Sequence, residues 1–317
     1  MFAWAMFGWM PLWPATAAES GQVVNTLFVA ELVLSVVIVL TVAVLMLNFV
    51  VRYHHGSGAS RAHRVRATWR YEIGWTTATL FAFLVLFVFG AHYYIWLYKS
   101  PPADVEIFVV GKQWMWKVQH PGGQREIDEI HIPIGKVVRL VIASQDVVHS
   151  FFVPAFRIKR DAVPGTYNSV WFKATAPGTY RLECSEFCGT EHVKMAGAIV
   201  AMEPAAYTDW LAERGTGETL AQEGGRLFRE LGCSGCHFPT STVHAPSLAG
   251  LYGRLVHLMD GTTVVADRQY IMDSILLPKK QIVAGYPPVM PSFAGQVSEE
   301  DLIKLIAYVE SLSPGTR

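Results

Sequence analysis

Two long apolar runs constrain this chain more than any other feature. Leu32 to Val51 is interrupted only by Ser35, Thr41 and Asn48. At about 1.5 Å of rise per residue it is roughly 30 Å long as a helix, the thickness of a bilayer's hydrocarbon core. Trp75 to Tyr98 is a second such run, and it ends in Tyr93, Tyr94, Trp96 and Tyr98, which suits a membrane-interface belt. Composition agrees: 51% of residues are hydrophobic and only 16% charged, with a mean hydropathy of +0.28. A buried helical hairpin in a soluble protein is the alternative, and the run lengths disfavour it. Net charge is zero and no basic stripe is present, which excludes a nucleic-acid partner.

Charge sets the orientation. No Lys or Arg precedes the first run, whereas the connector to the second carries Arg52, Arg61, Arg64, Arg66 and Arg70. The positive-inside rule puts that connector in the cytoplasm and both chain ends outside. Residues 1–26 are then an external segment, and residues 27–99 a transmembrane hairpin with spans at about 29–51 and 75–98, in contact with membrane lipid. Ala15-Thr-Ala17 has the small-residue form of a leader cleavage site, but no positive charge precedes it. Residues 1–18 therefore read either as a signal peptide or as retained chain.

After Lys99-Ser-Pro-Pro stops the second span, the pattern turns to short β-branched runs: Asp104–Val110, Glu126–Ile132 and Val137–Ala143, separated by Pro/Gly turns. This reads as a β-sandwich or small barrel over 100–203. Residues 204–218 form a polar linker. From 219 to 317 the chain reads as helical, and its last helix opens at Ser298 with Asp301 as a capping box.

The four cysteines form two close pairs, each beside a histidine, as ligands do rather than a disulfide framework. Cys184-Ser-Glu-Phe-Cys188-Gly-Thr-Glu-His192-Val-Lys-Met195 gathers two thiols, an imidazole and a thioether, with His149 upstream. Soft sulfur ligands joined by Met favour copper over structural zinc. Two cysteines and two histidines suit a dinuclear site with bridging thiolates better than a mononuclear blue-copper one. Rigid soft sites of this kind carry electrons. Cys233-Ser-Gly-Cys236-His237 is the C-x-x-C-H signature of covalent haem c. The adjoining His and external location argue against thioredoxin-like or zinc readings. A second axial ligand would come from Met259, Met272 or Met290, and Met290 sits in a proline-stiffened loop, Gly285-Tyr-Pro-Pro-Val-Met290-Pro. His244 and His257 read as surface residues.

From about Leu27 to Glu203 the chain resembles subunit II of haem–copper cytochrome c oxidases. The likeness rests on Ser144-Gln-Asp-Val-Val-His149-Ser-Phe, Lys159-Arg-Asp161-Ala-Val-Pro-Gly165 and the Cys184–Met195 motif. It implies a cupredoxin barrel with the dinuclear copper centre CuA. Cys184 and Cys188 would bridge two copper ions. His149 and His192 would each bind one, and Met195 and the Glu186 carbonyl would be weak ligands. The Glu186 side chain would also reach a magnesium ion shared with subunit I. Gly111-Lys-Gln-Trp114-Met-Trp116 resembles the family's aromatic stretch, which makes Trp114 an electron-entry residue. Met replaces the family's aromatic at 115, and packing of two tryptophans on one strand face would also explain the pair. Glu72-Ile-Gly-Trp75-Thr76 resembles a motif whose glutamate lies near a proton-uptake path, although Thr79 stands where the family has proline. An interfacial carboxylate beside Arg70 is the plainer reading of Glu72. Leu220 to Leu312 resembles class I cytochromes c. Met290 would be the distal ligand and Pro246 would accept a hydrogen bond from the His237 imidazole. Gly224, Phe228 and Tyr308 would form the contact between terminal helices, and Ala245 replaces the usual Gly.

The whole resembles a caa-type subunit II of a bacterial terminal oxidase in the inner membrane, with both cofactor domains on the periplasmic or outer face. Expected partners are subunits I and III and an external donor such as a cytochrome c or a quinol–cytochrome c reductase. Electrons would enter at haem c, cross CuA, and reach subunit I for oxygen reduction and proton pumping. The tethered haem domain is expected to dock over the Trp114 side of the barrel. Two alternatives remain: the electron-entry subunit of a CuA-containing nitric oxide reductase, and a stand-alone membrane-tethered carrier or copper-delivery protein. A quinol oxidase subunit is disfavoured because the copper ligands are kept.

Overall fold

The computed structural model describes residues 15–60, 68–215, 217–238 and 240–313. Met1 to Pro14, most of the leader-like segment, and the connector arginines Arg61, Arg64 and Arg66 lie outside the described residues. The chain divides into two units, residues 20–100 and the remainder.

The first unit contains helices α1 (Glu19–Tyr53) and α2 (Trp69–Tyr98), both apolar and long enough to cross a membrane. α1 starts well before the apolar run at 29, because a helix continues into the polar turn that leads it. Its 35 residues make roughly 52 Å, more than the hydrocarbon needs. α2 opens six residues before the expected 75 and stops at Tyr98, where Lys99 turns extended ahead of Pro101.

In the second unit ten strands form two five-stranded sheets. They are β1 (Val105–Lys112), β2 (Met115–Gln119), β3 (Arg125–Ile127), β4 (Glu129–Pro133), β5 (Val138–Ser144), β6 (His149–Val153), β7 (Ile158–Ala162), β8 (Asn168–Phe172), β9 (Gly178–Cys184) and β10 (Ala196–Met202). The sheet orders are β3-β2-β1-β5-β8 and β4-β10-β9-β6-β7. β1 and β5 are parallel, as are β4 and β10. Alternate residues face inward and fill the core with Trp116, Phe151, Phe156, Phe172, Leu140 and Ile199. β1 does not alternate. Ile107 and Val109 face this core while Phe108 and Val110 are buried on the other face, the signature of a strand covered on both sides. The chain just before α1 is part of the sandwich. Ala17 N–H donates to Ala155 O (3.0 Å), and Ala17 O accepts from Thr175 N–H (2.9 Å). Ala17 and Ala18 are therefore buried against the sandwich, while Ala15 is exposed.

The expected linker is largely a helix, α3 (Pro204–Glu213). Its polar composition hid two anchors. Trp210 stacks on His131 (4.4 Å between ring centres), and the Tyr207 hydroxyl lies 3.2 Å from Nδ1 of His120. The remaining helices are α4 (Leu220–Glu230), the short α5 (Ser234–His237), α6 (Arg268–Leu276) and α7 (Glu299–Ser311). A hairpin of β11 (Leu255–His257) and β12 (Thr263–Val265) precedes α6. Caps mark the helix starts: Thr219 and Gln222 form a capping box on α4, and Ser298 accepts from Asp301 N–H on α7. α4 crosses α7 at Gly224, where a Cβ would come 1.9 Å from Lys304 O. Phe228 and Tyr308 pack beside it at 5.1 Å, so the expected helix contact is present.

Candidate metal centres

The β6 start, the β9 end and the loop to β10 bring the sulfur and imidazole groups together. Cys184 Sγ and Cys188 Sγ are 3.9 Å apart and free of a disulfide. Cys188 Sγ lies 3.4 Å from His192 Nδ1 and 3.8 Å from Met195 Sδ. The Glu186 carbonyl is 3.3 Å from Cys184 Sγ, while its side chain is exposed. Ligand atoms of His149, Cys184 and Cys188 fall within 4.8 Å of one another.

Two features show that this cluster fits a metal. His149 is fully buried and its Nε2 donates to Asp146 Oδ1 at 2.8 Å. Its Nδ1 is buried with no hydrogen-bond partner. Carboxylate anchoring of one ring nitrogen, leaving the other as a lone-pair donor, is the usual dressing of a metal-bound histidine. The second feature is the thiol pair. Burial raises the Cys184 thiol, but His149, the backbone at Ser150 and Glu186, and Cys188 outweigh it and bring it down to about 6. Burial and the neighbouring Cys184 charge push Cys188 up to about 12. A pair that cannot carry two negative charges unaided is suited to a cation, whose charge would let both thiols ionise.

Trp114 and Trp116 do not share a strand face. Trp116 sits on β2, fully buried, edge-on to His149 at 6.0 Å. Trp114 lies in the β1–β2 turn and packs on the Cys184–Met195 loop, where a Cβ at Gly189 would meet its ring at 3.2 Å. Gln113 Nε2 donates to Cys188 O (2.8 Å) and ties that turn to the loop. Glu72 lies exposed in the first turn of α2, where Arg70 leans over the Trp69 ring at 5.5 Å.

A second site is a cavity of about 260 Å³ in the helical domain. Cys233, Cys236, His237, Pro246 and Met290 all line it. Its walls are otherwise mostly apolar, as a haem requires. His237 Nδ1 donates to Pro246 O (2.9 Å), which leaves Nε2 as the ligand nitrogen. The other two methionines are elsewhere: Met272 is 1% exposed within the helical core, and Met259 is 58% exposed. His257 is exposed and pairs with Thr263. His244 is exposed but also lines the cavity, stacked on Tyr286 at 4.6 Å. The surface reading holds, and the structure adds the cavity lining; Tyr286, inside the Met290 loop, was the available signal. Arg254 also lines the cavity, a cation suited to haem carboxylates, and no motif marked it. Asp146 lay inside the quoted Ser144–His149 motif without being singled out.

Comparison with known proteins finds a family for each of the two domains. Residues 122–202 match the family model "Cytochrome C oxidase subunit II, periplasmic domain", and residues 221–313 match "Cytochrome c". A cytochrome c oxidase subunit 2 from Alkalihalophilus pseudofirmus is 32% identical over 261 residues, covering 76% of this chain and 72% of the relative. An alternative cytochrome c oxidase subunit 2 from Bradyrhizobium diazoefficiens is 27% identical, covering 64% of this chain and 84% of its own. The crystallised periplasmic domain of subunit II from Bradyrhizobium japonicum aligns with 34% identity and a TM-score of 0.36, over 37% of this chain and 96% of that one. The two family-model matches and the Alkalihalophilus relative, taken with the ligand cluster, the haem-type cavity and the two membrane-length helices, lead to one assignment: the chain belongs to the cytochrome c oxidase subunit 2 family and carries a C-terminal cytochrome c domain.

Proposed function

We propose that this chain accepts electrons from an external donor at a covalent haem c and delivers them through a dinuclear CuA centre to subunit I of a terminal oxidase. Oxygen reduction and proton pumping occur elsewhere in the complex. The observation that carries the reading is the pairing of two complete donor sets in one chain. Cys184, Cys188, His149, His192 and Met195 converge in one, and Cys233, Cys236, His237 and Met290 share one cavity in the other.

When bound, the copper pair and the haem supply one-electron carriers; the protein supplies rigidity. Cys184, Cys188, His149, His192, Met195 and the Glu186 carbonyl are the groups that would hold the copper pair, the two thiolates and two imidazoles as the strong donors and the thioether and carbonyl as the weak ones. Asp146 fixes the His149 ring by accepting from Nε2. Burial of Met195 (1% exposed), Cys188 and Cys184 sets the sulfurs in a packed wall that would limit rearrangement around a bound metal. Cys233 and Cys236 carry the thioether links. Pro246 fixes the His237 ring, and the proline-flanked loop presents Met290. The exposed Glu186 carboxylate suits a magnesium ion shared with subunit I. Glu72 is assigned to the cytoplasmic side beside a proton path. Subunit III and membrane lipid complete the surroundings, and a cytochrome c or a quinol–cytochrome c reductase is the donor.

Metal and haem analysis of the purified complex, with mass identification of its other subunits, tests this. Two coppers and one covalent haem per chain beside a haem–copper oxidase subunit I are expected. A nitric oxide reductase large subunit in its place would overturn the oxidase assignment, and absence of near-infrared copper absorption would overturn the copper assignment.

A further inference from the structure

The outer face of the β3-β2-β1-β5-β8 sheet is not a solvent face. Phe108 and Val110 of β1 and Val141 of β5 are buried under Leu220 of α4 and Ile303 of α7, with Tyr167 and Ala307 at the margin. Around this apolar centre runs a frame of ion pairs. Lys117 on β2 meets Glu300 at 2.6 Å, and Arg125 on β3 meets Glu223 on α4 at 2.5 Å. Arg268, at the start of α6, bridges the two domains. Its Nη2 donates to Glu106 Oε1 on β1 (2.6 Å), and its Nε donates to Glu310 Oε1 on α7 (2.5 Å). The same guanidinium lies 5.2 Å over the Phe108 ring. The neighbouring Gln269 adds two more ties, accepting from Tyr167 N–H (3.2 Å) and donating to Gly165 O (3.1 Å). Leu220 N–H donates to Pro121 O (3.1 Å).

The connector is built to match. α3 is held by Trp210 on His131 and by Gln124, whose Nε2 donates to Leu211 O at 2.8 Å. A domain meant to swing would leave the apolar sheet face open and the tether free; here both are packed.

We propose that the cytochrome c domain is seated on the sandwich as a fixed body, with Arg268 the positioning residue that clamps α7 between the haem-type cavity and strand β1. Leu305 and Val309 of α7 line the cavity, while Ile303 and Ala307 of the same helix meet β1. One residue beyond Val110, Gly111 lies so close to His149 that a Cβ there would sit 2.9 Å from the imidazole. α7 and β1 thus join the cavity wall to a copper-type ligand by continuous packing. The domain sits on the sheet whose β1–β2 turn holds Trp114, but this apolar centre is Phe108, Val110 and Val141 rather than Trp114. The functional consequence rests on the electron-transfer reading above: fixed seating sets the spacing and orientation of the two carriers, where a free tether would set only an effective concentration.

The test uses the intact complex with Arg268→Glu, and the charge swap Arg268→Glu with Glu106→Arg. Hydrogen exchange at α4, α7 and the connector is measured alongside flash-induced haem-to-copper electron transfer. The haem and copper spectra report on folding. Arg268→Glu is expected to keep both spectra, raise exchange at Leu220 and Ile303, and slow electron transfer by about tenfold or more; the swap restores the pair between positions 106 and 268 but leaves a carboxylate at 268 facing Glu310, so it recovers both in part. Unchanged exchange and rate with intact spectra would overturn the fixed seating. If the wild-type complex lacks either cofactor, the electron-transfer reading fails, and the exchange data still decide the seating. If Arg268→Glu fails to fold, Ile303→Ala provides the same measurements without adding a charge.

Discussion

Gly224→Ala is the sharpest test of how the cytochrome c domain is held together. A Cβ at 224 would lie 1.9 Å from Lys304 O, 2.5 Å from the carbonyl carbon and 2.9 Å from Tyr308 Cβ. A carbon–oxygen contact settles near about 3.3 Å, so the helices must part by roughly 1.4 Å. The obstacle is backbone, so no side-chain rotation relieves it. Overpacking of this kind costs about 1–3 kcal/mol, and the upper end applies when backbone must move. Alanine recovers about 1 kcal/mol over glycine in a helix interior. The net loss is then about 2 kcal/mol, or roughly 8–16 °C in Tm for a domain of this size. Gly225→Ala is the control. Its Cβ meets the Tyr308 ring at 3.1 Å, a side chain that can turn, and Arg229 Nη1 at 3.9 Å, so the helix gain of about 1 kcal/mol is not outweighed and Gly225→Ala should be no less stable than the wild type. Calorimetry of the full-length protein with each substitution reads both. A Gly224→Ala transition as high as the wild type's would refute the close-packed crossing.

In metal-free protein, Cys184 should alkylate faster than Cys188 at pH 7, with a rate that climbs as pH rises through about 6; faster modification of Cys188, whose thiol is held up near 12, would contradict the thiol assignment. Burial works to raise the Glu126 carboxyl, but hydrogen bonds from His120 and His131 outweigh it and hold it below the ordinary 4.5. A lowered carboxyl stabilises the fold above its unfolded value, and that stability drains away as pH falls from 4.5 through the folded value. Glu126→Gln should therefore cost about 1–3 kcal/mol at pH 7 and less at pH 4; equal losses at both, read from thermal melts, would count against the His120–Glu126–His131 network. Met290→Ala should retain covalent haem through Cys233 and Cys236 but convert it from low spin and lower its potential, whereas Met259→Ala should leave the spectrum alone; the reverse pattern would move the distal ligand. Gly111→Ala should reduce copper content by pushing the His149 ring out of place, and full copper occupancy with unchanged spectra would show that the ring has room.

Legibility followed the range of the forces involved. The membrane-length runs were plain in the sequence because an apolar span is a local property of twenty residues. The Cys184–Met195 and Cys233–His237 groups were equally plain, since their ligands are spaced within one loop or one turn. Helix caps at Thr219 and Ser298 are local as well, though only the second was read in advance. What escaped was set by partners far along the chain. Residues 204–218 looked like a linker because Trp210 and Tyr207 show their purpose only once β-strands bring His131 and His120 beneath them. Trp114 and Trp116 looked like strand neighbours until the β1–β2 turn sent one to the Cys184–Met195 loop and the other into the core. The unbroken apolar run Ile107–Val110 did hint that β1 is covered on both faces, but it could not name the cover. Arg268 carries no motif at all; it matters because folding places Glu106 and Glu310 on either side of it. Sequence alone determined the two membrane-length apolar runs, the clustered candidate ligands and the order of the domains, because each is written in neighbouring residues. The tertiary structure decided which nitrogen of His149 is tied to Asp146, and how the helical domain meets the sandwich. Those depend on contacts that exist only once the chain has folded.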